Sequence, residues 1–300
     1  FKNVSKNTLI ILETTIPPGT SDKVILPVIK KISNDRKIKI NYAYSYERVM
    51  PGLNYYDSIV NIQRCYAGLN NLSLKMCEKF LKTFINTKKF PLQKLDFIKD
   101  CEMSKILENS YRATNIAFID EWTNYAEAVG INLNKIIKVI KERKTHSNMM
   151  RPGLGVGGYC LTKDPSFAKI SSNYLYKKNL EFPITSKSLK INKHMPGNSV
   201  NFLLKNLNKK RLKILIMGAT YKEDIGDLRY SPAIDLVNKL EKKGHEVHIH
   251  DPIVTKTSKK KFICGKIANF SRYEAVVFCV AHKSYKKMNF KNISKKPFYF

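Results

Sequence analysis

The sequence lacks three features that would each assign it to a familiar class of protein. It contains no run of about 18 uncharged apolar residues, so no membrane-spanning helix is predicted. None of its six cysteines stands in a C-x-x-C pair, which leaves zinc-ribbon and dithiol redox sites without support and predicts reduced thiols in a cytoplasm. The fingerprint of dinucleotide-binding domains, a G-x-G-x-x-G directly after a strand, is also absent, because that pattern follows no predicted strand in the 300 residues.

Arginine is scarce although the chain is strongly basic. The formal net charge is +30, yet only nine of the 54 basic residues are arginine, and the lysines are spread over the whole chain. Arginine is the preferred residue for bidentate contacts to phosphates and bases. The composition therefore predicts a basic surface that helps to recruit an anionic substrate, and no dedicated nucleic-acid function.

Hydrophobic periodicity divides the chain into three parts. Short apolar runs alternate with helical spacing in residues 1–99 and 208–300, whereas residues 100–207 carry mainly long helical periods. The predicted fold class is α/β, with two Rossmann-like parallel-sheet domains joined by a central helical domain. The predicted elements are strands at Thr8–Glu13, Ile38–Tyr44, Leu212–Gly218, His245–Pro252 and Ala275–Ala281, and helices at Ser21–Lys31, Ser73–Ile85, Cys101–Val129, Ile131–Lys144 and Ser231–Lys243.

A glycine-rich loop gives one cysteine an unusual setting. Residues 152–165 read PGLGVGGYCLTKDP, so Cys160 follows four closely spaced glycines and precedes Asp164 by four residues. Glycines let a ligand approach the backbone, and a thiol with an acid in reach suits a covalent nucleophile. The same pattern also fits a small buried hydrophobic residue in a tight turn. The loop by itself leaves both interpretations open.

Five segments of the chain share an order and spacing with one known family. They are TTIPPGT (Thr14–Thr20), YSYERVMPG (Tyr44–Gly52), CEMSKILENSYRATNIAFIDE (Cys101–Glu121), PGLGVGGYCLTKDP (Pro152–Pro165) and MGATYKEDIGDLRYSPA (Met217–Ala233). Together they resemble the UDP-glucose/GDP-mannose dehydrogenase family, the nucleotide-sugar 6-dehydrogenases. The cysteine loop and the Tyr-Lys…Asp-x-Arg-x-Ser-Pro pattern are the most specific parts of this resemblance.

The resemblance implies a cofactor, a substrate and an assembly. In that family an N-terminal Rossmann domain binds NAD, a central helical domain forms the homodimer, and a C-terminal Rossmann-like domain holds the nucleotide-sugar. The implied domains here are 1–99, 100–207 and 208–300. The family's glycine fingerprint precedes its Thr-Pro-Gly segment by many residues, so we expect the first half of the NAD domain, and part of the last domain, to lie outside these 300 residues. The alternative is a fragment that binds UDP-sugar and dimerises without turnover.

The resemblance also implies a covalent mechanism. Oxidation of a primary alcohol to an acid removes two hydrides, and the intermediate aldehyde must not escape. Cys160 is implied as the thiol that holds this aldehyde as a thiohemiacetal and then as a thioester, which water cleaves. A nearby cation would lower the pKa of such a thiol.

Five further residues match the family's catalytic groups. Lys105 and Asn109 lie four residues apart on one predicted helix face and match the pair that stabilises the oxyanion and orders water. Asp164 matches the carboxylate that helps to activate that water. Glu47 matches an acid/base glutamate, and Thr15 matches a threonine that contacts NAD and the catalytic water.

The remaining implied contacts are to the two ligands. The cofactor-binding residues implied by the resemblance are Thr14, Thr15, Cys160, Lys163 and Arg229. The implied substrate-binding residues are Glu47, Lys105, Asn109, Arg151, Gly155, Gly157, Tyr221 and Lys222. No metal site is predicted.

Each catalytic candidate also has an ordinary structural interpretation. Lys105 and Asn109 could form a solvated helix face, which is the usual place for lysine. Asp164, which precedes a proline, could be a helix N-cap. Glu47 could form a surface ion pair with the next residue, and Thr15 could simply end a strand.

Two departures from the family pattern bear on the sugar. The family usually reads Ser-Pro-Glu where this chain has Ser45-Tyr46-Glu47, and Pro51 stands where UDP-glucose enzymes often have a second glutamate. The string ERVMPG is more similar to the branch that acts on UDP-N-acetylhexosamines. We therefore predict an NAD-dependent UDP-N-acetylhexosamine 6-dehydrogenase of polysaccharide biosynthesis, with a UDP-glucose 6-dehydrogenase as the alternative.

Overall fold

The chain folds into two compact units. The computed structural model describes residues 4–5, 7–52, 54–254, 261–263, 269–289 and 297–300, so that Cys264 lies outside the described residues. The first unit contains Phe1–Tyr111 and Lys163–Thr185, and the second contains Arg112–Thr162 and Ser186–Phe300. The division at 1–99, 100–207 and 208–300 stays a prediction.

The sheet of the first unit contains the strands β1 (Leu9–Leu12), β2 (Asn41–Tyr44), β3 (Cys65–Gly68) and β4 (Gln93–Lys94). They lie in the order β1–β2–β3–β4. β1 runs parallel to β2 with Leu9 opposite Asn41, and β3 runs parallel to β4, but β2 and β3 are antiparallel. The α/β class is confirmed, and the first sheet is mixed rather than wholly parallel.

Short helices connect these strands. Ser21–Ile25 is wound as a π-helix and continues into α1 (Leu26–Arg36); α2 (Asp57–Val60) and α3 (Asn71–Leu81) follow. The Asn70 side chain caps α3 by accepting the Ser73 N–H at 2.9 Å, which explains where this helix begins. Its buried residues recur every four positions, so one face packs on the sheet.

A 32-residue helix, α4 (Ile98–Val129), runs from the first unit into the second. The helices after it are α5 (Leu133–Ile140), α6 (Cys160–Lys163), α7 (Phe167–Ile170) and α8 (Pro183–Leu207). Polar residues, among them Glu102, Lys105 and Asn109, lie on the buried face of α4 beside apolar ones. Within the described part of the chain, no helix combines the length and apolarity needed to cross a membrane.

The described elements at the C-terminal end of the second unit are β5 (Lys213–Met217), α9 (Pro232–Lys242), β6 (Glu246–His250), β7 (Phe262–Ile263), β8 (Ala275–Phe278), α10 (Lys283–Lys286) and β9 (Phe298–Tyr299). The five strands form a fully parallel sheet in the order β7–β6–β5–β8–β9. The central strand β5 is buried, and the Ser231 side chain caps the start of α9. The Rossmann-like prediction is confirmed.

Candidate active site

Two strand ends of the first sheet bring Thr14, Thr15 and Glu47 to one edge. β1 and β2 are parallel, so both end at the carboxyl edge, where open α/β sheets bind ligands. The pairing continues past the strands, because the Glu47 N–H donates to the Glu13 carbonyl at 3.4 Å. The Tyr44 hydroxyl donates to the Thr14 carbonyl at 3.1 Å. The predicted cofactor threonines and the predicted acid/base glutamate therefore follow adjacent strands.

Lys105 and Asn109 are buried on α4, where they are 7% and 3% exposed. The Lys105 ammonium donates to the Glu47 carbonyl at 2.9 Å and lies 5.2 Å from the centre of the Tyr46 ring. A cation over an aromatic face is stabilised by the ring quadrupole. The interpretation of this pair as a solvated helix face is therefore wrong.

Asp164 is fully buried and accepts hydrogen bonds from two side chains. Asn109 Nδ2 donates to one carboxylate oxygen at 2.8 Å, and Lys163 Nζ donates to the other at 2.6 Å. A buried carboxylate needs such partners, because its desolvation is costly. The interpretation as an N-cap is wrong, because the turn that begins at Asp164 has no side-chain cap. Lys163, predicted to bind the cofactor, forms an ion pair here.

Arg48 pairs with Glu108 and not with its neighbour Glu47. Its Nη2 lies 3.0 Å from the Glu108 carboxylate and 3.0 Å from the Tyr46 hydroxyl. Burial raises the pKa of Tyr46, so its hydroxyl stays protonated at neutral pH. The Glu47 carboxylate accepts the N–H of Val49 and does not pair with Arg48. The interpretation of Glu47 as one half of a surface ion pair is therefore wrong.

We call Glu47, Lys105, Asn109 and Asp164 the α4 cluster. It combines an ammonium, an amide and two carboxylates, and three of its four members are buried. Where water is largely excluded, electrostatic interactions are stronger than in bulk water. Ammonium and amide N–H groups can stabilise a developing oxyanion, and a carboxylate can take a proton from water.

Cys160 begins α6 in the second unit and is exposed, whereas Cys65, Cys77 and Cys101 are buried. The interpretation of Cys160 as a buried hydrophobic residue is therefore wrong. The loop before it packs against the segment that contains Tyr221 and Arg229. Gly158 donates its N–H to the Arg229 carbonyl at 3.0 Å, with φ of +74°. Two of the segments predicted to form the site thus contact each other within this unit.

Gly157 has no room for a side chain. A Cβ at this position would lie 2.5 Å from the Tyr221 Cβ and 2.9 Å from the Tyr230 carbonyl oxygen, whereas a Cβ on Gly153 would meet nothing within 4 Å. We expect Gly157→Ala to lower the free energy of unfolding by about 1–3 kcal/mol, since overpacking forces the loop to move. Thermal melting measures this, with Gly153→Ala as the control. Equal melting temperatures for both variants would contradict the packing.

Arg229 is exposed but oriented by Asp227. Its Nη2 lies 2.6 Å from the Asp227 carboxylate, and its guanidinium lies 4.9 Å from the ring centre of Tyr159. The hydrogen bonds from Arg229 hold the pKa of Asp227 below its usual value. Tyr159 in turn contacts Tyr230 edge-on at 5.1 Å. Arg229, which is predicted to bind the cofactor, therefore contacts Tyr159, the residue that precedes Cys160.

The other predicted substrate residues lie in the same unit. Arg151 and Lys222 are exposed, and a Cβ on Gly155 would approach Pro232 to 3.0 Å. Burial raises the pKa of the half-buried Tyr221. The roles assigned to these residues stay predictions.

Family models match three successive parts of the chain. The NAD binding domain of the UDP-glucose/GDP-mannose dehydrogenase family matches residues 1–85, its central domain matches 99–194, and its UDP binding domain matches 215–300. A relative 30% identical, from Pyrococcus horikoshii, aligns with 97% of this chain and 67% of its own length.

The chain belongs to the UDP-glucose/GDP-mannose dehydrogenase family.

Two relatives within this family have the same activity. The Pyrococcus horikoshii protein and one from Methanocaldococcus jannaschii are both UDP-N-acetyl-D-mannosamine dehydrogenases; the second is 37% identical over 81% of this chain and 52% of its own length. The solved structure of the UDP-D-ManNAc dehydrogenase from Pyrococcus horikoshii matches with a TM-score of 0.81 at 27% identity, covering 99% of this chain and 68% of that one. The chain spans about half to two thirds of the length of these relatives.

No role was predicted from the sequence for three acids that the structure connects to predicted site residues or to the turn beside them. Glu108 pairs with Arg48, Asp227 orients Arg229, and Glu102 bonds to the turn after Thr15. Glu102 carried a signal, because it precedes Lys105 by three residues and Asn109 by seven, on the same helical face. Its partners are backbone groups, which leave no signature in the sequence.

Proposed function

We propose that the whole protein is an NAD-dependent nucleotide-sugar 6-dehydrogenase, which oxidises the C6 alcohol of a UDP-N-acetylhexosamine to the acid for polysaccharide biosynthesis. The α4 cluster carries this proposal. In this cluster a lysine, an asparagine and an aspartate are buried together. The ammonium and the amide can stabilise an oxyanion, and the carboxylate can take a proton from water. Family membership alone would not require these groups to be retained in this chain.

The choice of sugar rests on two observations. The sequence after Glu47 reads ERVMPG, with Pro51 in place of a second glutamate. The relatives named above act on UDP-N-acetyl-D-mannosamine. The match of residues 215–300 to a UDP binding domain supports the nucleotide part of the substrate. Tyr221 and Lys222 of that domain are proposed to contact it.

The residues at the carboxyl edge of the first sheet fit a dinucleotide. Thr14 is exposed and Thr15 is half-buried directly after β1, at the edge where such sheets hold ligands. We propose that both threonines contact NAD, together with Lys163 and Arg229. When bound, NAD⁺ accepts the hydride that leaves C6 in each of the two oxidations.

The chain's own groups would carry the remaining steps. The Cys160 thiolate adds to the aldehyde carbon, and the oxygen takes a proton to give a thiohemiacetal; loss of a hydride and a proton then leaves a thioester. Water attacks this carbonyl, Asp164 accepts its proton, and the carbon–sulfur bond breaks to return the thiol. Lys105 and Asn109 are proposed to stabilise the negative oxygen during both additions.

An exposed apolar surface on the second unit supports a homodimer. Phe118, Trp122 and Tyr125 follow helical spacing on α4, with ring centres 6.2 Å and 6.1 Å apart, and about half of each is exposed. With the exposed Ile136 of α5 they border an apolar groove of about 280 Å³. Contiguous exposed apolar surface marks a protein interface. We propose that a second copy covers this face, and that the dimer works in the cytoplasm, where thiols stay reduced.

A substrate panel tests the proposed activity. We expect the whole protein to reduce NAD⁺ with UDP-ManNAc or UDP-GlcNAc at least about tenfold faster, in kcat/KM, than with UDP-glucose, because a pocket can discriminate one substituent by roughly 1–3 kcal/mol. The uronic acid should appear as the product by mass spectrometry. Preference for UDP-glucose would overturn the choice of sugar, and no NADH with any UDP-sugar would overturn the activity.

A further inference from the structure

Glu102 is a fully buried acid whose carboxylate bonds to a turn far away in the sequence. It lies on α4 and is 0% exposed. Its two oxygens accept the backbone N–H groups of Gly19 and Ser21, the second at 2.9 Å. Burial raises the pKa of Glu102, and these hydrogen bonds act in the opposite direction. Burying a charged carboxylate costs desolvation free energy, and the two hydrogen bonds from backbone N–H groups offset part of this cost.

The two N–H groups belong to the start of a helix. The π-helical turn begins at Ser21 and leads directly into α1, and the residue at its N-cap, Thr20, makes no side-chain cap. The Thr20 hydroxyl instead donates to the Pro17 carbonyl at 2.6 Å. Glu102 therefore caps this helix from α4, where a carboxylate is favoured by the positive end of the helix dipole.

The capped helix fixes the turn that carries Thr15. Residues 13–20 connect β1 to this helix, so the position of Gly19 and Ser21 limits where the turn can lie. Two further contacts hold the same place: the Ser171 hydroxyl donates to the Pro18 carbonyl, and the Ser21 and Tyr42 hydroxyls lie 2.7 Å apart. The turn is thus fixed to its neighbours in the first unit.

The same face of α4 carries two members of the α4 cluster. Lys105 and Asn109 follow Glu102 by one and two helical turns, and all three are buried. We propose that Glu102 is a positioning residue, which holds the Thr14–Thr15 turn in a fixed position relative to Lys105 and Asn109. The inference rests on the proposed function, because this relative position matters only if the turn and the cluster serve one reaction.

Glu102→Gln tests this role with little change in size. The amide can accept only one of the two N–H groups well and directs its own N–H toward the other. We expect the KM for NAD⁺ to rise at least about fivefold and kcat to fall about tenfold, since small misplacements of catalytic groups have large kinetic effects. The affinity for UDP-sugar should change less than twofold. Glu102→Asp, which keeps the carboxylate, should recover part of the loss.

Asp120→Asn is the matched control. Asp120 is also a buried acid on α4, and Asn198 donates to it at 3.2 Å, but it lies far along the helix from the cluster. We expect this variant to lower the melting temperature and to leave the KM for NAD⁺ within twofold of wild type. If Glu102→Gln lowers the melting temperature as much as Asp120→Asn does and likewise leaves the KM for NAD⁺ within twofold of wild type, the role of Glu102 is merely structural and the inference is overturned.

Amide hydrogen exchange separates this inference from the proposed function. In the 300-residue chain, Glu102→Gln should speed exchange at Gly19 and Ser21 at least about tenfold, and Asp120→Asn should not. Unchanged protection of both amides would overturn the inference whatever the kinetics show. A wild-type protein that oxidises no UDP-sugar would instead overturn the proposed function, while the exchange data would still decide whether Glu102 fixes the turn.

Discussion

Cys160→Ser is expected to lower turnover by the whole protein at least about a thousandfold, while folding and UDP-sugar binding stay intact. The hydroxyl is close in size to the thiol but is not ionised near neutral pH, so it is a far weaker nucleophile. Cys160 is exposed at the start of α6, so the substitution leaves no buried cavity. Steady-state rates and thermal melting measure the two halves of this prediction.

Cys77→Ser provides the control for a lost thiol. Cys77 is fully buried on α3, and burial raises its pKa to about 12, so it stays protonated and unreactive. We expect this variant to lose stability but to keep its turnover within about threefold. Alkylation of the native chain should modify Cys160 before Cys65, Cys77 and Cys101, and bound UDP-sugar should slow it. Turnover by Cys160→Ser near the wild-type rate would remove the nucleophile from the mechanism.

Lys105→Ala is expected to lower kcat by about 10²–10³-fold, because loss of one preorganised donor to an oxyanion costs that much in other enzymes. The Lys105 side chain is buried, and its ammonium is held by the Glu47 carbonyl at 2.9 Å, so the donor is preorganised. The KM for UDP-sugar should change much less than kcat. Steady-state kinetics with saturating NAD⁺ separate the two parameters.

Lys99→Ala is the control on the same helix. Lys99 is exposed near the start of α4, and its ammonium lies 5.3 Å from the centre of the Phe97 ring. Its removal should leave kcat within about twofold, because exposed charges contribute little. Equal losses for Lys99→Ala and Lys105→Ala would show that the general positive charge matters, and not the buried ammonium.

The sequence predicted the positions of the strands and helices better than the relative directions of paired strands. Apolar runs such as Leu212–Gly218 predicted the second sheet, because buried parallel strands carry continuous hydrophobic residues. The antiparallel pairing of β2 with β3 could not be predicted, since periodicity reports burial and not strand direction. Helix α5 is shorter than the predicted Ile131–Lys144, because Asn132 caps its start and it ends at Ile140.

The sequence predicted which residues form the candidate site, but it did not predict that their side chains are buried. The four-residue spacing of Lys105 and Asn109 placed them on one face, but lysine alone predicts a solvated face. Their partners, Glu47 and Asp164, are more than 50 residues distant in the sequence. Only the resemblance to a family, carried by the motifs, favoured the catalytic interpretation before the contacts were known.

The ratio of NADH formed to UDP-sugar consumed tests the central claim most directly. A substrate alcohol whose aldehyde stays bound to the enzyme is oxidised twice before release, so the account predicts two NADH per UDP-sugar, no free aldehyde, and an adduct on Cys160 that mass spectrometry detects when turnover is stopped rapidly. A ratio of one, with aldehyde in solution and Cys160 unmodified, would contradict it.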